Sequence, residues 1–264
     1  MSEHDQNLKL LLIGHVSCDM VDGRCALGGA VAFSSKWATR EGIYPTVITS
    51  CASAYPGLEK LKNWGVKVLN QESLHTTSFT NIYMGNERTQ FISARADNIE
   101  IETINSATSD ADIIFFAPIA QELDPRYMAK LAEGKIMACS IQGWLRKWDD
   151  EGKVVATEMD WNLLNQADFV FLSYEDLEGI PDALDKLISL RATTVITDNV
   201  NGCDVFKGGN KTNYPTPEVD TINPTGAGDT FATAFLVNYF RTQKIESAAR
   251  FANLTASKFI SSTK

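Results

Sequence analysis

A repeated switch between short, continuously apolar runs and longer helical stretches constrains this chain more than any other feature of its sequence. Leu8 to Gly14 is apolar apart from Lys9 and closes on a glycine, the pattern of a strand buried on both faces. Thr46 to Cys51, Asp112 to Phe116, Lys135 to Ile141, Phe169 to Leu172 and Thr193 to Thr197 are further strand candidates. Helical patterns fall between or after them: Gly28 to Arg40, entered through a glycine pair, Leu58 to Trp64, ended by Gly65, Ala232 to Phe240, and Ile245 to Ile260. The expected fold class is therefore α/β, a mostly parallel sheet covered by helices on both faces. One segment breaks the rhythm. Thr77 to Met84 and Glu87 to Ala94 are β-rich runs joined by Gly85-Asn86, and they are too polar at alternate positions for a central parallel strand. They predict an antiparallel hairpin standing off the main sheet, continued by the chain around Met20 to Leu27. A second hairpin is expected at Cys203 to Tyr214, turning through Gly208-Gly209-Asn210. With no internal repeat or long linker, residues 1–264 read as one α/β domain with a small β lid from about 20–27 and 77–95.

Charge and composition exclude several functions. The chain carries 24 basic and 33 acidic side chains, a net charge of −9, with no Lys/Arg cluster to hold nucleic-acid phosphates. No run reaches the roughly 18 apolar residues of a membrane span, and the polar start Met1 to Asn7 is no secretory signal. The five cysteines (Cys18, Cys25, Cys51, Cys139, Cys203) are odd in number and form no Cys-x-x-Cys pair, which suits reduced thiols in a cytoplasm. Three histidines are too few for a His-rich metal site.

The chemistry concentrates in Asn223-Pro224-Thr225-Gly226-Ala227-Gly228-Asp229-Thr230-Phe231, which runs into an apolar helix. Small residues before a helix leave backbone N–H groups free to converge on an anion, and the helix dipole adds partial positive charge there. Side chains at Gly226 or Gly228 would block close approach of a phosphate. Asp229 at the mouth of such a site conflicts with an anionic ligand unless it takes a proton from an attacking hydroxyl. The plainer alternative is a tight turn with an acidic cap. No Gly-Lys-Ser/Thr of a Walker loop is present, and no dinucleotide fingerprint follows the first strand, where Gly14 stands alone.

Thr225-Gly226-Ala227-Gly228-Asp229-Thr230-Phe231 resembles the C-terminal signature of the ribokinase/PfkB family of carbohydrate kinases, and Gly28-Gly29-Ala30 resembles its N-terminal glycine pair. The resemblance implies a ribokinase-like fold with a β lid. It also implies an ATP-dependent kinase acting on a hydroxyl of a sugar, cyclitol or nucleoside. The amides of Gly226, Ala227 and Gly228 would form the anion hole and Asp229 the catalytic base. Asp19, read as closing the first strand, would grip substrate hydroxyls together with Gly28, Gly29, Asp97 and Gln142. Thr197, Asn199, Gly202, Thr225 and Asn253 would face the nucleotide. Mg²⁺ would be held through water, with Asp176 its remote partner. An exposed lid offers a surface for a homodimer.

The departures from the family pattern are informative. Phe33 stands where the family usually has Asn, and Asn223 where it has Asp. Ser173-Tyr174-Glu175-Asp176 replaces Asn-x-x-Glu, and Thr197 to Gly202 replaces Thr-x-Gly-x-x-Gly. Phe33 together with Ile141-Gln142-Gly143-Trp144-Leu145-Arg146 resembles the divergent branch containing myo-inositol kinases, although Ser140 replaces that branch's Asp. Other residues carry two readings. Asp97 is a hydroxyl ligand or a turn cap, and Arg146 a phosphate neutraliser or a surface partner of Asp149 or Asp150. Asn253 approaches the nucleotide or is buried on a backbone partner. His15 reads as structural. The altered motifs also admit a non-catalytic sugar or nucleotide sensor that has kept the fold.

Overall fold

The computed structural model describes residues 8–21, 23–84, 87–131 and 133–261; the expected Gly85-Asn86 turn lies outside them. The chain opens with β1 (Leu10–Ile13), the lid strands β2 (Ser17–Val21) and β3 (Arg24–Gly28), and helix α1 (Ala30–Arg40). β4 (Thr46–Cys51), α2 (Pro56–Asn63) and β5 (Lys67–Glu72) precede the hairpin of β6 (Thr77–Met84) and β7 (Glu87–Ala94). Next come α3 (Ile101–Thr108), β8 (Ile113–Phe116), the short α4 (Met128–Leu131) and β9 (Ile136–Ser140). A small hairpin, β10 (Arg146–Trp148) and β11 (Val154–Ala156), precedes β12 (Phe169–Ser173), α5 (Ala183–Ile188) and β13 (Thr193–Thr197). The chain then forms β14 (Cys203–Lys207), β15 (Asn210–Tyr214), α6 (Ala227–Thr242) and α7 (Ile245–Ser261).

The main sheet has the order β15-β14-β13-β12-β9-β8-β1-β4-β5. Pairing is parallel from β13 through β5, and the β14–β15 hairpin adds an antiparallel edge. Strand alternation divides the core between the two faces of the sheet. Leu10, Leu12 and Phe115 pack with residues of α1, α6 and α7, while Leu11, Ile13, Ile114 and Phe116 pack with residues of α3 and α5. This is why the strands read as unbroken apolar runs.

Aromatic packing fixes the direction of α6. Phe235 meets Phe171 and Phe169 of β12 at centroid distances of 5.4 and 5.3 Å, and Tyr239 meets Phe169 at 4.6 Å. Each such ring contributes about 1.5–3 kcal/mol through burial. The helix thus descends alongside β12, and its N-terminus is held toward the C-terminal end of that strand, where α/β sites form.

The lid is a four-stranded sheet of order β3-β2-β6-β7. It begins at Ser17, earlier than the sequence suggested, so Asp19 lies on a lid strand and does not close β1. The reason is register: Ser17 to Met20 pair in parallel with Thr77 to Thr80 as soon as the chain leaves the main sheet. The β10–β11 hairpin was not foreseen from sequence because its strands are only three residues each. It docks on β7, with Ile92 N–H donating to the Gly152 carbonyl at 2.8 Å.

The expectation of five reduced thiols fails at one pair. Cys18 and Cys25 are bridged, with Cα atoms 5.1 Å apart on neighbouring lid strands. Their separation of seven residues spans the β2–β3 turn, a contact that no Cys-x-x-Cys pattern would reveal. Cys51, Cys139 and Cys203 are free and buried. Among the described residues no helix is long and apolar enough to cross a membrane.

Candidate active site

The loops after β1, β9, β12 and β13 all leave the C-terminal end of the parallel sheet, and the N-termini of α1 and α6 meet beside them. Gly29 caps α1 at φ 95°, and a side chain there would strike the His15 carbonyl. Gly226 caps α6 at φ 84°, a left-handed conformation that favours glycine, and a side chain there would strike the ring of Phe33. Phe33 thus packs on the glycine loop from α1. A Cβ at Gly228 would meet nothing within 4 Å, so this position opens onto free space at the helix N-terminus. That is the arrangement an incoming anion requires.

Asp229 follows in the first turn of α6, partly exposed. Burial of its carboxyl pushes its pKa up to about 7; the Arg146 guanidinium opposes the rise, and the carboxylates of Asp176 and Asp19 add to it. These charges reach Asp229 from three other parts of the chain: Arg146 from β10, Asp176 from the turn after β12, and Asp19 from lid strand β2. A carboxyl tuned to near-neutral pH at a helix N-terminus has the properties of a general base.

Asp19 is held by the hydroxyl of Ser17, which donates to Oδ1 at 2.8 Å, and its Oδ2 lies against Gly28. Any side chain at Gly28 would displace this carboxylate, so two of the expected substrate-side residues form one unit. Gln142, in the turn after β9, donates from Nε2 to Asp176 Oδ1 at 2.8 Å. Asp176 also accepts on Oδ2 from the Ser173 N–H and hydroxyl, each at 2.9 Å. The replaced Asn-x-x-Glu segment is therefore a capping box closing a 3-10 turn.

Other expected residues make contacts of their own within the protein. The Asn253 side chain is buried on α7 and donates to the Tyr214 carbonyl at 2.8 Å, the contact that the backbone-partner reading describes. Gly202 sits at φ 87° against the Tyr214 carbonyl, a close approach that explains the glycine by packing. Asn199 donates to Glu175 at 3.1 Å, and the Thr197 hydroxyl to the Leu172 carbonyl at 3.4 Å. Thr225 is exposed, and its N–H donates to Asn223 Oδ1 at 2.9 Å, a turn that uses the Asn found in place of Asp. Asp97 exposes its side chain, while its carbonyl accepts from His15 Nε2 at 2.9 Å. That acceptor requires the proton on Nε2, so Nδ1 accepts from the Thr77 hydroxyl at 2.7 Å. Burial lowers the pKa of His15, and the residue ties the end of β1 to the lid as a neutral strut.

Sequence reasoning left Arg146 divided and did not single out Glu122. Arg146 donates from Nη1 to Gln90 of lid strand β7 at 3.2 Å, linking the lid to the charge field of Asp229. Glu122 is buried and accepts from the backbone amides of His15, Ile119 and Ala120, fixing the loop after β8 against the end of β1. Only its position after a strand end hints at this in the sequence.

Solved structures resemble this chain over most of its length. A pyrophosphate-dependent kinase in the ribokinase family, solved with sulfate, is 26% identical, with a TM-score of 0.81 and 95% of each chain covered. A structure of such a kinase with a pyrophosphate analog and myo-inositol is also 26% identical, with a TM-score of 0.80, covering 95% of this chain and 94% of that one. Fructokinase-2 of Zea mays is 29% identical over 103 residues, which span 36% of this chain and only 31% of the maize enzyme. The sequence profile described as pfkB family carbohydrate kinase matches residues 57–264, a stretch that contains the glycine loop, the base candidate and the lid hairpin. The chain belongs to the pfkB family of carbohydrate kinases.

Proposed function

We propose that this protein transfers a phosphoryl group from a Mg²⁺-bound polyphosphate donor to a hydroxyl of a cyclitol or sugar. The observation that carries the proposal is Asp229, a carboxyl raised to about 7, placed in the first turn of a 16-residue helix in which the neighbouring Gly228 opens onto free space. The acceptor hydroxyl would lie between Asp229 and Asp19. As its oxygen forms the new bond to phosphorus, its proton passes to Asp229, and the bond between phosphorus and the leaving phosphate oxygen breaks with its electron pair. The amides of Gly226 to Gly228 stabilise negative charge on the transferring group, an effect worth about 3–4 kcal/mol for a well-aimed donor. Arg146 adds a fixed positive charge to the same field, and its contact with Gln90 ties that charge to the lid. A lid over the site excludes water that would otherwise accept the phosphoryl group.

Among the described residues no three His, Cys, Asp or Glu side chains come together as a metal cage. This fits a Mg²⁺ that keeps its water and binds mainly through donor phosphates, with Asp176 reaching it through water. When bound, the ion neutralises phosphate charge.

The donor has two readings. ATP is what the family resemblance implies. Pyrophosphate is supported by the 26% identity to a pyrophosphate-dependent kinase over 95% of both chains. The engagement of Asn253, Asn199 and Gly202 within the protein supports it too, since these were the expected nucleoside contacts. Phosphate release and ADP release, measured with each donor across myo-inositol, hexoses, pentoses and nucleosides, separate the readings. Acceptor-dependent turnover with pyrophosphate and little with ATP establishes the second. The reverse restores the first, and silence with both donors despite acceptor binding favours the sensor.

A further inference from the structure

We propose that Cys18 and Cys25 form a reversible thiol–disulfide modification site whose bridged state tightens acceptor binding; the binding consequence rests on the acceptor role proposed for Asp19. The pair is set apart from the other cysteines by access. Cys25 is exposed and Cys18 half-buried, whereas Cys51, Cys139 and Cys203 are buried. Burial pushes the Cys51 and Cys203 thiols up to about 12 and that of Cys139 up as well, which keeps all three out of thiolate chemistry at neutral pH. The bridged cysteines lie on adjacent antiparallel strands, where Cys18 pairs with Leu27 and Met20 with Cys25. They are therefore diagonal neighbours on one face of the lid, beside the Tyr55 hydroxyl, which lies 4.0 Å from Cys25 Sγ.

Asp19 occupies the intervening position on β2, so its side chain leaves the opposite face of the strand. Its carboxylate lies against Gly28, which belongs to β3. The place of Asp19 thus depends on β3 staying beside β2. Yet among the described residues β3 is an edge strand that pairs with β2, and Arg24, Cys25 and Ala26 are exposed. A bond between Cys18 and Cys25 staples this edge strand to the strand that carries Asp19. On reduction the exposed stretch Arg24 to Ala26 is left to the hairpin ladder, while Leu27 beyond it packs on the core.

The exchange balances with a low-molecular-weight disulfide such as oxidised glutathione. One protein thiolate attacks it, releasing one glutathione thiol and leaving a mixed disulfide. The second protein thiolate then attacks the protein sulfur of that mixed disulfide and displaces the second glutathione thiol. The two cysteines lose two electrons, and the glutathione disulfide gains them.

The test uses the full chain equilibrated in reduced or oxidised glutathione, with thiols counted by maleimide labelling under denaturing conditions and located by peptide mapping. Binding of myo-inositol and a hexose panel is measured by calorimetry in each state, alongside phosphotransfer. The expected result is loss of the Cys18 and Cys25 thiols on oxidation, with a several-fold tighter acceptor Kd that dithiothreitol reverses. Cys25→Ser and Cys25→Ala should bind acceptor like the reduced protein in either buffer. Five labelled thiols after oxidation, a bridge that leaves Kd unchanged, or a shift that persists in both variants would overturn the proposal. Bridge-dependent binding without phosphotransfer from either donor would instead count against the kinase reading alone.

Discussion

Two regions at the same end of the sheet have been treated in opposite ways by this sequence. Around the glycine loop, the groups that could do chemistry remain available: the Gly228 position faces open space, and the Asp229 carboxyl is held near neutrality by burial and by its charged neighbours. Around β12 to β15, the groups in corresponding motif positions bond to one another. Asp176 serves Ser173 and Gln142, Asn199 serves Glu175, and Asn253 serves the Tyr214 carbonyl. A chain that had lost catalysis would be free to lose the first region as well. A tuned carboxyl beside an open glycine position, with the groups around β12 to β15 bonded among themselves, is the contrast on which the proposed pyrophosphate reading rests.

The largest test of this contrast removes the base. Asp229→Asn keeps the shape and deletes the proton acceptor, so kcat should fall about 10²–10⁴-fold. Donor binding, measured by calorimetry, should stay near that of the parent protein. Residual turnover above a few per cent would exclude Asp229 from the base role.

Next in size is a comparison within the loop itself. Gly226 needs its left-handed backbone and lies against Phe33, so Gly226→Ala should lower both kcat and Tm, the backbone alone contributing about 1–2 kcal/mol. Gly228 lies within α6 and faces open space, so Gly228→Ala should stabilise the helix by about 0.5–1 kcal/mol. It should still lower kcat by intruding on the transferring group. Opposite shifts in Tm with the same direction in kcat would identify Gly228 as a position kept for the ligand. A Gly228→Ala variant with unchanged kcat would remove it from the anion hole.

The pH dependence sharpens the same comparison. Asp229 acts as a base only when ionised, so kcat should climb through about pH 7 and level off above it. Arg146 holds the carboxyl down while Asp176 and Asp19 push it up, so Arg146→Gln should move this acid limb to higher pH. A purely structural role for Arg146 would lower activity without moving the limb. The sign for stability is opposite to that of a paired carboxylate. A pKa raised from 3.8 to about 7 means that ionisation disfavours the folded state, so the penalty grows between those values and is full above the upper one. Asp229→Asn should therefore raise Tm above that pH and leave it unchanged in strong acid.

Much of this was legible in the sequence, and the misses share a cause. β4, β6, β7 and β13 occur at the residues their apolar or alternating patterns indicate, because burial on one or both faces leaves a period in the sequence. The glycine loop was legible because backbone geometry and anion access both demand small residues there. The position of Asp19 on a lid strand was not, since register with Thr77 to Thr80 is a long-range pairing with no local signature. Neither the Cys18–Cys25 contact nor the convergence of Arg146 on Asp229 has any period, because each depends on where a turn brings two segments.

The smallest effect expected is also the one that decides what the inward-turned region does. Asn253 donates to the Tyr214 carbonyl at 2.8 Å, and nearby the Thr216 and Ser257 hydroxyls lie 2.8 Å apart, so α7 is fastened to the end of β15 and to the segment after it. Asn253→Ala leaves the buried Tyr214 carbonyl without that donor, a loss of about 1–3 kcal/mol. If Asn253 is a fastener, Tm falls while the donor KM stays where it was for ATP and pyrophosphate alike. If it contacted a nucleoside, the KM for ATP would rise selectively and that for pyrophosphate would not. The two outcomes differ in which donor notices the change, because pyrophosphate has no base or ribose to lose a contact.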